Sequence, residues 1–196
     1  MNGHPRLYGW TQRIFAHSYC WKLFVENYLR PVPGERLLDL GCGTGLLLGA
    51  LPAVEYWGLD SDPRRIRYAQ RKWGNRGNFV CADLSRVSWP VQGLFDHVTA
   101  TGFLHHLKDE EVLQVLKNVR NLLKPHASFI TFDGCYEEDQ SPVARLLLSL
   151  DRGKYVRDKA GYLSLARSIF DHVDARIEKR FLRVPYSHLI MEMKAP

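Results

Sequence analysis

The sequence predicts a single α/β domain whose sheet is mostly parallel and has helices on both faces. Short apolar runs recur between residues 35 and 133 and stop abruptly at glycine or aspartate, as buried parallel strands do. An amphipathic helical pattern at 109–125 separates the last two runs, and such alternation is typical of parallel sheets. With 196 residues, 45% of them hydrophobic and 24% charged, the chain is long enough for one well-packed domain.

Five strands are predicted before residue 134, at 35–40, 54–60, 78–84, within 94–107 and at 128–133. The run "LLLGAL" after the first strand predicts a helix that Pro52 ends. The helix at 109–125 has Asp109 as its expected N-cap, and one face carries Val112, Leu116, Val119 and Leu123. Because ligands of parallel sheets bind at the carboxyl ends of the strands, we expect a site at that edge.

The last third of the chain is predicted to add two helices and an antiparallel hairpin. Ser141 and Pro142 are a favoured N-cap and first-turn pair, and Gly153 is placed to end that helix. A second helix is expected at 160–173. The segments "RIEKRFLRV" and "HLIMEMK" predict two strands joined through Pro185 and Tyr186, so the sheet should have seven strands.

Three glycines at alternate positions, Gly41, Gly43 and Gly45, follow the first strand. Glycine adopts backbone angles closed to other residues and lets a ligand approach the main chain. One glycine would be enough for a tight turn, so three predict a ligand. Leu46 stands where the dinucleotide fingerprint has its third glycine, and no Gly-Lys-Ser/Thr follows, so neither a dinucleotide nor a triphosphate loop is indicated.

The string from Asp39 to Gly45, "DLGCGTG", resembles the first motif of class I S-adenosylmethionine-dependent methyltransferases, D/E-x-G-x-G-x-G. The resemblance implies a doubly wound, Rossmann-like methyltransferase domain over residues 31–196 and an N-terminal helical lid over residues 1–30. Seven aromatic residues between Tyr8 and Tyr28 fit such a lid or a helix that covers the sheet. The "LHHL" segment after the fourth strand is similar to that of small-molecule methyltransferases.

The same resemblance implies S-adenosylmethionine as cofactor and S-adenosylhomocysteine as product. Asp60 is expected to accept hydrogen bonds from the ribose hydroxyls, and Asp83 stands where the family's acid meets the adenine amino group. The full set of expected cofactor contacts is Asp39, Gly41, Cys42, Gly43, Asp60, Ser61, Ala82, Asp83, Leu84, Thr101 and Phe103. No catalytic metal is expected, because no carboxylate follows His105 and His106 before Asp109.

A methyl acceptor that carries a proton needs a base, and the base candidates are His105, His106, His188 and the phenol of Tyr186. Adjacent turn residues cannot both point into one pocket, and the family's placement of the turn favours His106 over His105. The alternative is that both imidazoles only hold the loop, and that His188 is a half-buried strand histidine.

The predicted function is methyl transfer to a small-molecule acceptor. Methyltransferases acting on adenine amines or glutamine amides carry Asn/Asp-Pro-Pro-Tyr/Phe after the fourth strand, whereas residues 101–104 read "TGFL". A net charge of +6 keeps an RNA or protein methyltransferase as an alternative. A non-catalytic S-adenosylmethionine-binding subunit is the second alternative.

The charge distribution suggests an anionic acceptor. Residues 141–196 hold 11 basic and 6 acidic residues, whereas residues 37–140 hold 11 and 13. In the densest basic stretch, guanidinium groups alternate with aromatic rings, which suits an anionic and partly planar molecule. Its predicted substrate-binding residues are Arg152, Tyr155, Arg157 and Tyr162. The alternative is a solvated surface that only keeps the protein soluble.

Location and partners are indicated only coarsely. No apolar run approaches the roughly 20 residues of a membrane span, and the N-terminus lacks a signal-like apolar core. Four scattered cysteines without metal-like spacing favour free thiols, so a cytoplasmic protein is expected. A nucleic-acid partner is the less favoured alternative to a small molecule, and the sequence does not indicate the oligomeric state.

Overall fold

The computed structural model describes residues 18–150, 153–181 and 185–195. A sheet with strand order β3-β2-β1-β4-β5-β8-β7 forms its centre. The strands are β1 Arg36–Leu40, β2 Glu55–Asp60, β3 Asn78–Cys81, β4 Phe95–Thr101, β5 Leu123–Tyr136, β6 Arg157–Asp158, β7 His172–Glu178 and β8 His188–Lys194. Strand β8 runs antiparallel to both β5 and β7, whereas the other pairs are parallel. The predicted α/β class and its C-terminal hairpin are therefore confirmed.

Two features of the C-terminal third differ from the sequence prediction. The hairpin strand β7 covers His172–Glu178 instead of 176–184, because all seven of its residues pair with β8. The preceding helix consequently ends at Arg167 instead of residue 173. An eighth strand, the two-residue β6, pairs with the end of β5 at Cys135 and Tyr136.

Five α-helices lie within the described ranges, and one of them was not predicted. They are α1 Ser18–Phe24, which continues as a π-helical turn Val25–Leu29, α2 Pro63–Trp73, α3 Asp109–Leu122, α4 Pro142–Leu150 and α5 Lys159–Arg167. The unpredicted α2 has Asp62 as its N-cap, whose carboxylate accepts the Arg64 amide at 2.8 Å. The predicted helix after the glycine loop is a short 3₁₀ turn, Leu47–Ala50.

Helix α3 begins and ends differently from the sequence prediction. Its N-cap is Lys108 instead of Asp109, and Glu111 accepts the Lys108 amide at 2.8 Å, as in a capping box. The helix ends at Leu122, because Leu123 already pairs with Phe95 as the first residue of β5. Helix propensity at Leu123 is thus overridden by the pairing of β5 with β4.

Apolar clusters on both faces of the sheet confirm the doubly wound arrangement. Neighbouring residues of β1 point to opposite faces, and Leu37 and Leu38 are both fully buried. The Leu38 cluster includes residues of α3 and α5, and the Leu37 cluster includes residues of α1 and α2. Because helices cover both faces of the sheet, the ends of its strands are where a site can form.

The described part of the predicted N-terminal lid packs against the sheet. In α1 and its π-helical turn, Phe24, Val25 and Leu29 are buried in the Leu37 cluster. The ring of Phe24 meets that of Phe132 edge-on, with centroids 5.7 Å apart. Residues 1–17 of the predicted lid, with Tyr8, Trp10 and Phe15, lie outside the described residues.

None of the described helices combines the length and apolar character that a membrane crossing requires. The four cysteines are free thiols; Cys42 and Cys135 are buried, Cys20 is half-buried and Cys81 is exposed.

Packing of α3 onto the sheet can be tested with a matched pair of leucine variants. Leu116 of α3 is 1% exposed and Leu150 of α4 is 66% exposed. Leu116→Ala should lower the free energy of unfolding by about 2–5 kcal/mol, because it leaves a cavity in the core. Leu150→Ala should change it by less than about 0.5 kcal/mol. Urea denaturation measures both, and equal values for the two variants would contradict this packing.

Candidate functional site

The candidate site lies where the carboxyl ends of the central parallel strands meet. The glycine loop beginning at Gly41 follows β1, and Asp60 is the last residue of β2. Thr101 is the last residue of β4, and Asp133 lies near the end of β5. Strand order places β1 between β2 and β4, so these ends are neighbours and the predicted edge carries the predicted residues.

Two glycines of the loop are required for different reasons. Gly43 has a φ of +56°, and a Cβ built there meets nothing within 4 Å, so this position faces open space. Gly41 has a φ of +70°, and its Cβ would lie 2.7 Å from Cδ2 of Phe103. Gly43 therefore leaves room for a ligand, whereas Gly41 leaves room for a ring of the protein itself.

Asp60 joins the glycine loop to the end of β2. Its Oδ2 accepts the amide of Gly43 at 2.9 Å, and its Oδ1 accepts the amide of Asp62 at 2.8 Å. Burial raises the pKa of Asp60, and the two backbone donors oppose that shift. Each carboxylate oxygen has two acceptor positions, so Asp60 retains capacity for the predicted ribose hydroxyls.

Asp39 is a buried carboxylate with one oxygen unused. Its Oδ2 accepts the phenol hydrogen of Tyr56 at 2.6 Å, whereas Oδ1 has no hydrogen-bond partner among the described residues. Burial raises the pKa of Asp39 to about 7; the charge of Asp60 adds to the shift, and the Tyr56 hydrogen bond opposes it. A cationic ligand group beside Oδ1 would give this buried oxygen the hydrogen-bond donor that it lacks, and would so offset the free-energy cost of burying it unpaired.

The remaining expected cofactor residues border the same strand ends. The amide of Ala82 donates to the carbonyl of Asp60 at 3.0 Å, which fixes the chain after β3. The Asp83 carboxylate is 54% exposed and accepts the hydroxyl and amide of Ser85, which lower its pKa. Ser61 is exposed, Thr101 and Phe103 are half-buried, and Cys42 and Leu84 are buried.

A histidine–aspartate pair joins the turn that follows β4 to the end of β5. Nδ1 of His105 is 2.8 Å from Oδ1 of Asp133, and both residues are buried. The same oxygen accepts the amides of Phe103 and His105 at 3.0 and 3.2 Å. With the carboxylate ionised, the imidazole carries its proton on Nδ1, which makes the other ring nitrogen the basic one.

The other predicted base candidates have different surroundings. His106 is exposed, and its ring centroid lies 4.3 Å from that of His105. Burial lowers the pKa of His188 to about 3, with a smaller effect from His105, so His188 is neutral at pH 7. Tyr186 is buried, and its ring lies 4.6 Å from that of His188. No three His, Cys, Asp or Glu side chains in the described ranges are grouped so as to hold a metal ion.

Arg157 of the predicted substrate set is bound within the protein. Nη2 and Nε of its guanidinium contact Oδ1 of Asp109 at 2.6 and 2.9 Å. Its other hydrogen bonds go to the carbonyls of Leu104, Tyr155 and Leu107. These contacts hold residues 153–158 over the turn that contains His105, and they give Arg157 a structural role.

The other predicted substrate residues are dispersed. Tyr162 is buried, and its hydroxyl donates to the carbonyl of Gly134 at 3.1 Å. The amide of Tyr155 donates to the carbonyl of His105 at 2.9 Å. Arg152 lies outside the described residues.

Two residues of the site were not singled out from the sequence. Asp133 ends the predicted strand "SFITFD", and its position at a strand terminus was an available signal. In the sequence, Tyr56 has the pattern of an ordinary apolar strand residue. Only the pairing of β1 with β2 brings its hydroxyl to Asp39.

Comparisons with known proteins show what this chain is similar to in sequence and in fold. Residues 37–126 match the family described as "Methyltransferase domain". An O-methyltransferase of Pyrenophora dematioidea is 28% identical over 142 residues, which cover 66% of this chain and 52% of that protein. The chain thus spans about half the length of the curated relatives it matches first.

Solved structures give the same fold. A TehB-like S-adenosylmethionine-dependent methyltransferase from Corynebacterium glutamicum has a TM-score of 0.68 at 18% identity, covering 96% of this chain and 98% of that one. A plantazolicin methyltransferase, crystallised with a pentazolic desmethylPZN analog and S-adenosylhomocysteine, has a TM-score of 0.70 at 15% identity, covering 97% of this chain and 90% of that one. The chain therefore has the fold of these methyltransferases, and its residues 37–126 match the methyltransferase-domain family.

Proposed function

We propose that this protein transfers a methyl group from S-adenosylmethionine to a small-molecule acceptor. The observation that carries the proposal is the unused oxygen of the buried Asp39, close to a loop in which Gly43 faces open space. A ligand with a cationic amino group suits both features. The relative named as an O-methyltransferase and the neighbour crystallised with a plantazolicin analogue support a small-molecule acceptor.

The residues of the edge fit the groups of this cofactor. Asp39 Oδ1 would accept from the amino group, Asp60 from the ribose hydroxyls and Asp83 from the adenine amino group. When bound, S-adenosylmethionine supplies a methyl group that its sulfonium already activates. The protein's remaining tasks are to align the acceptor, to exclude water and to remove a proton.

We assign the proton transfer to His105. The acceptor is taken to be a hydroxyl compound, as the name of the O-methyltransferase relative suggests. His105 takes the hydroxyl proton, and Asp133 stabilises the imidazolium that forms, because it lies 2.8 Å from Nδ1. The segment 153–158 covers this pair and keeps water away, and its Tyr155 is a further part of the acceptor side.

Cofactor binding through the glycine loop can be tested with two matched glycine variants. Gly43 and Gly74 have φ values of +56° and +53°, and a Cβ at either meets nothing within 4 Å. Gly43→Ala should weaken S-adenosylmethionine binding at least tenfold, because the methyl group occupies ligand space. Gly74→Ala also places a side chain at positive φ, at the end of α2, and should leave the affinity unchanged. Calorimetric titration that finds wild-type affinity in Gly43→Ala would refute the assignment.

The raised pKa of Asp39 predicts pH-dependent binding and stability. The pKa of Asp39 in the folded protein, about 7, lies above its ordinary value of 3.8. The protonated carboxyl therefore contributes stability that is fully present below pH 3.8 and is lost as pH rises through 7. A bound cation favours the ionised form, so S-adenosylmethionine affinity should increase between pH 5.5 and 7.5. Asp39→Asn should abolish that increase and weaken binding at pH 7.5 about tenfold or more.

The exposed carboxylate of Asp174 on β7 provides the control for this experiment. Asp174→Asn should keep the wild-type pH dependence of both affinity and unfolding free energy. A pH dependence that persists unchanged in Asp39→Asn would show that another group controls binding.

The role of the histidine–aspartate pair is tested by comparing adjacent histidines. His105→Gln should lower kcat by roughly 10²-fold or more, because the proton acceptor is lost, and Asp133→Asn should lower kcat as well. His106→Gln, at an exposed position, should retain most of the activity. The S-adenosylmethionine Kd should hold in both histidine variants. A larger loss of kcat in His106→Gln than in His105→Gln would reassign the base to His106.

A further inference from the structure

A groove separates α1 from the edge strand β7 on one face of the sheet. Its volume is ≈ 420 Å³, within the range of about 300–1,000 Å³ that small-molecule sites occupy. Three aromatic rings and three charged side chains line it, those of Tyr19, Tyr28, Phe181, Arg176, Glu178 and Arg180. No residue assigned above to the cofactor or to proton transfer belongs to this groove.

Of the three charged side chains in the groove, Glu178 and Arg180 form an ion pair and Arg176 does not. Glu178 accepts the hydroxyl of Tyr28 at 2.7 Å and two guanidinium hydrogen bonds of Arg180 at 3.2 Å. The pKa of Glu178 is lowered, first by the Arg180 hydrogen bonds, so its carboxylate is ionised and neutralised by Arg180. Arg176 is exposed and has no carboxylate of a described residue within 4 Å, although its charge also contributes to the lowered pKa of Glu178. The groove therefore carries a net positive charge at Arg176.

The groove lies two strands away from the end of β5 in the candidate site. In the sheet, Glu178 pairs with His188, and His188 pairs with Gly134 at the end of β5. Strands lie about 4.8 Å apart, so Glu178 and Gly134 are separated by about 10 Å across the sheet.

Packed aromatic rings lie between the groove and the end of β5. Ring centroids are 6.1 Å apart for Tyr28 and Phe181, 4.9 Å for Phe181 and Phe132, and 4.2 Å for Phe132 and His188. The groove and the end of β5 are thus joined by a row of rings along one face of the sheet.

We propose that this groove binds the anionic end of a planar acceptor and that Arg176 supplies the charge that recognises it. A guanidinium matches a carboxylate in a bidentate geometry, and rings beside it suit a flat molecule. This assignment transfers to Arg176 the anion-binding role predicted for Arg157, whose guanidinium is bound to Asp109 and to backbone carbonyls. The proposal rests on the proposed function, since it describes the acceptor of that reaction.

The test uses two probes of the same shape and different charge. The probes are 6-hydroxy-2-naphthoate and its neutral carboxamide, whose hydroxyl and charged group lie at opposite ends of a flat ring system. Their Kd values are measured by calorimetry on the wild-type protein, Arg176→Met and Arg167→Met. Arg167 is an exposed arginine at the end of α5, away from the groove, and serves as the matched control.

The wild-type protein and Arg167→Met should bind the carboxylate at least tenfold more tightly than the carboxamide, and Arg176→Met should lose this preference. Equal affinities for the two probes in the wild type, a preference retained in Arg176→Met, or no binding of the carboxylate at millimolar concentration would overturn the proposal. The Kd for S-adenosylmethionine is measured separately on the same proteins. Failure of cofactor binding counts against the proposed function, whereas normal cofactor binding without probe discrimination counts against the groove alone.

Discussion

The carboxylate of Asp133 holds together the part of the structure on which the proposed chemistry depends. A single oxygen, Oδ1, receives the amides of Phe103 and His105 and faces the ring nitrogen Nδ1 of His105. These contacts attach the turn after β4 to the end of β5 and orient the imidazole at the same time. Since Asp133 is 2% exposed, removal of its charge would leave several buried donors without a partner, which is more costly than at a surface position.

Carboxylates organise the cofactor side in a comparable way. Asp60 is bound by two backbone amides and therefore fixes the glycine loop, whereas Asp39 is satisfied on one oxygen only. Each oxygen of Asp60 has a hydrogen-bond donor even without a ligand, whereas one oxygen of Asp39 has none in the described part of the chain. A buried acceptor of this kind reduces the stability of the protein alone and favours the bound form, because the missing partner comes with the ligand.

Much of this arrangement could be predicted from the sequence, because it depends on local patterns. The strand positions, the glycine loop and the placement of Asp39 and Asp60 follow from apolar periodicity and from spacing along the chain. The role of Arg157 could not be predicted, since its partner Asp109 is 48 residues away and its other acceptors are backbone carbonyls. The bounds of β7 were also missed, because pairing with β8 decides where that strand begins. Hydrogen-bond partners that are brought together only by tertiary packing leave no periodic pattern in the sequence.

The contact between Gly41 and Phe103 has an evolutionary consequence. Any Cβ at position 41 would lie 2.7 Å from the ring at position 103, although the two residues belong to loops after different strands. Position 41 can therefore not change while the ring at 103 is present, whereas position 103 can change first; an alanine at 41 would then avoid the clash but would still have to adopt a φ of +70°. Substitutions at these two positions would accumulate in a fixed order, so the pair would covary among descendants of this chain, with position 103 the first to change.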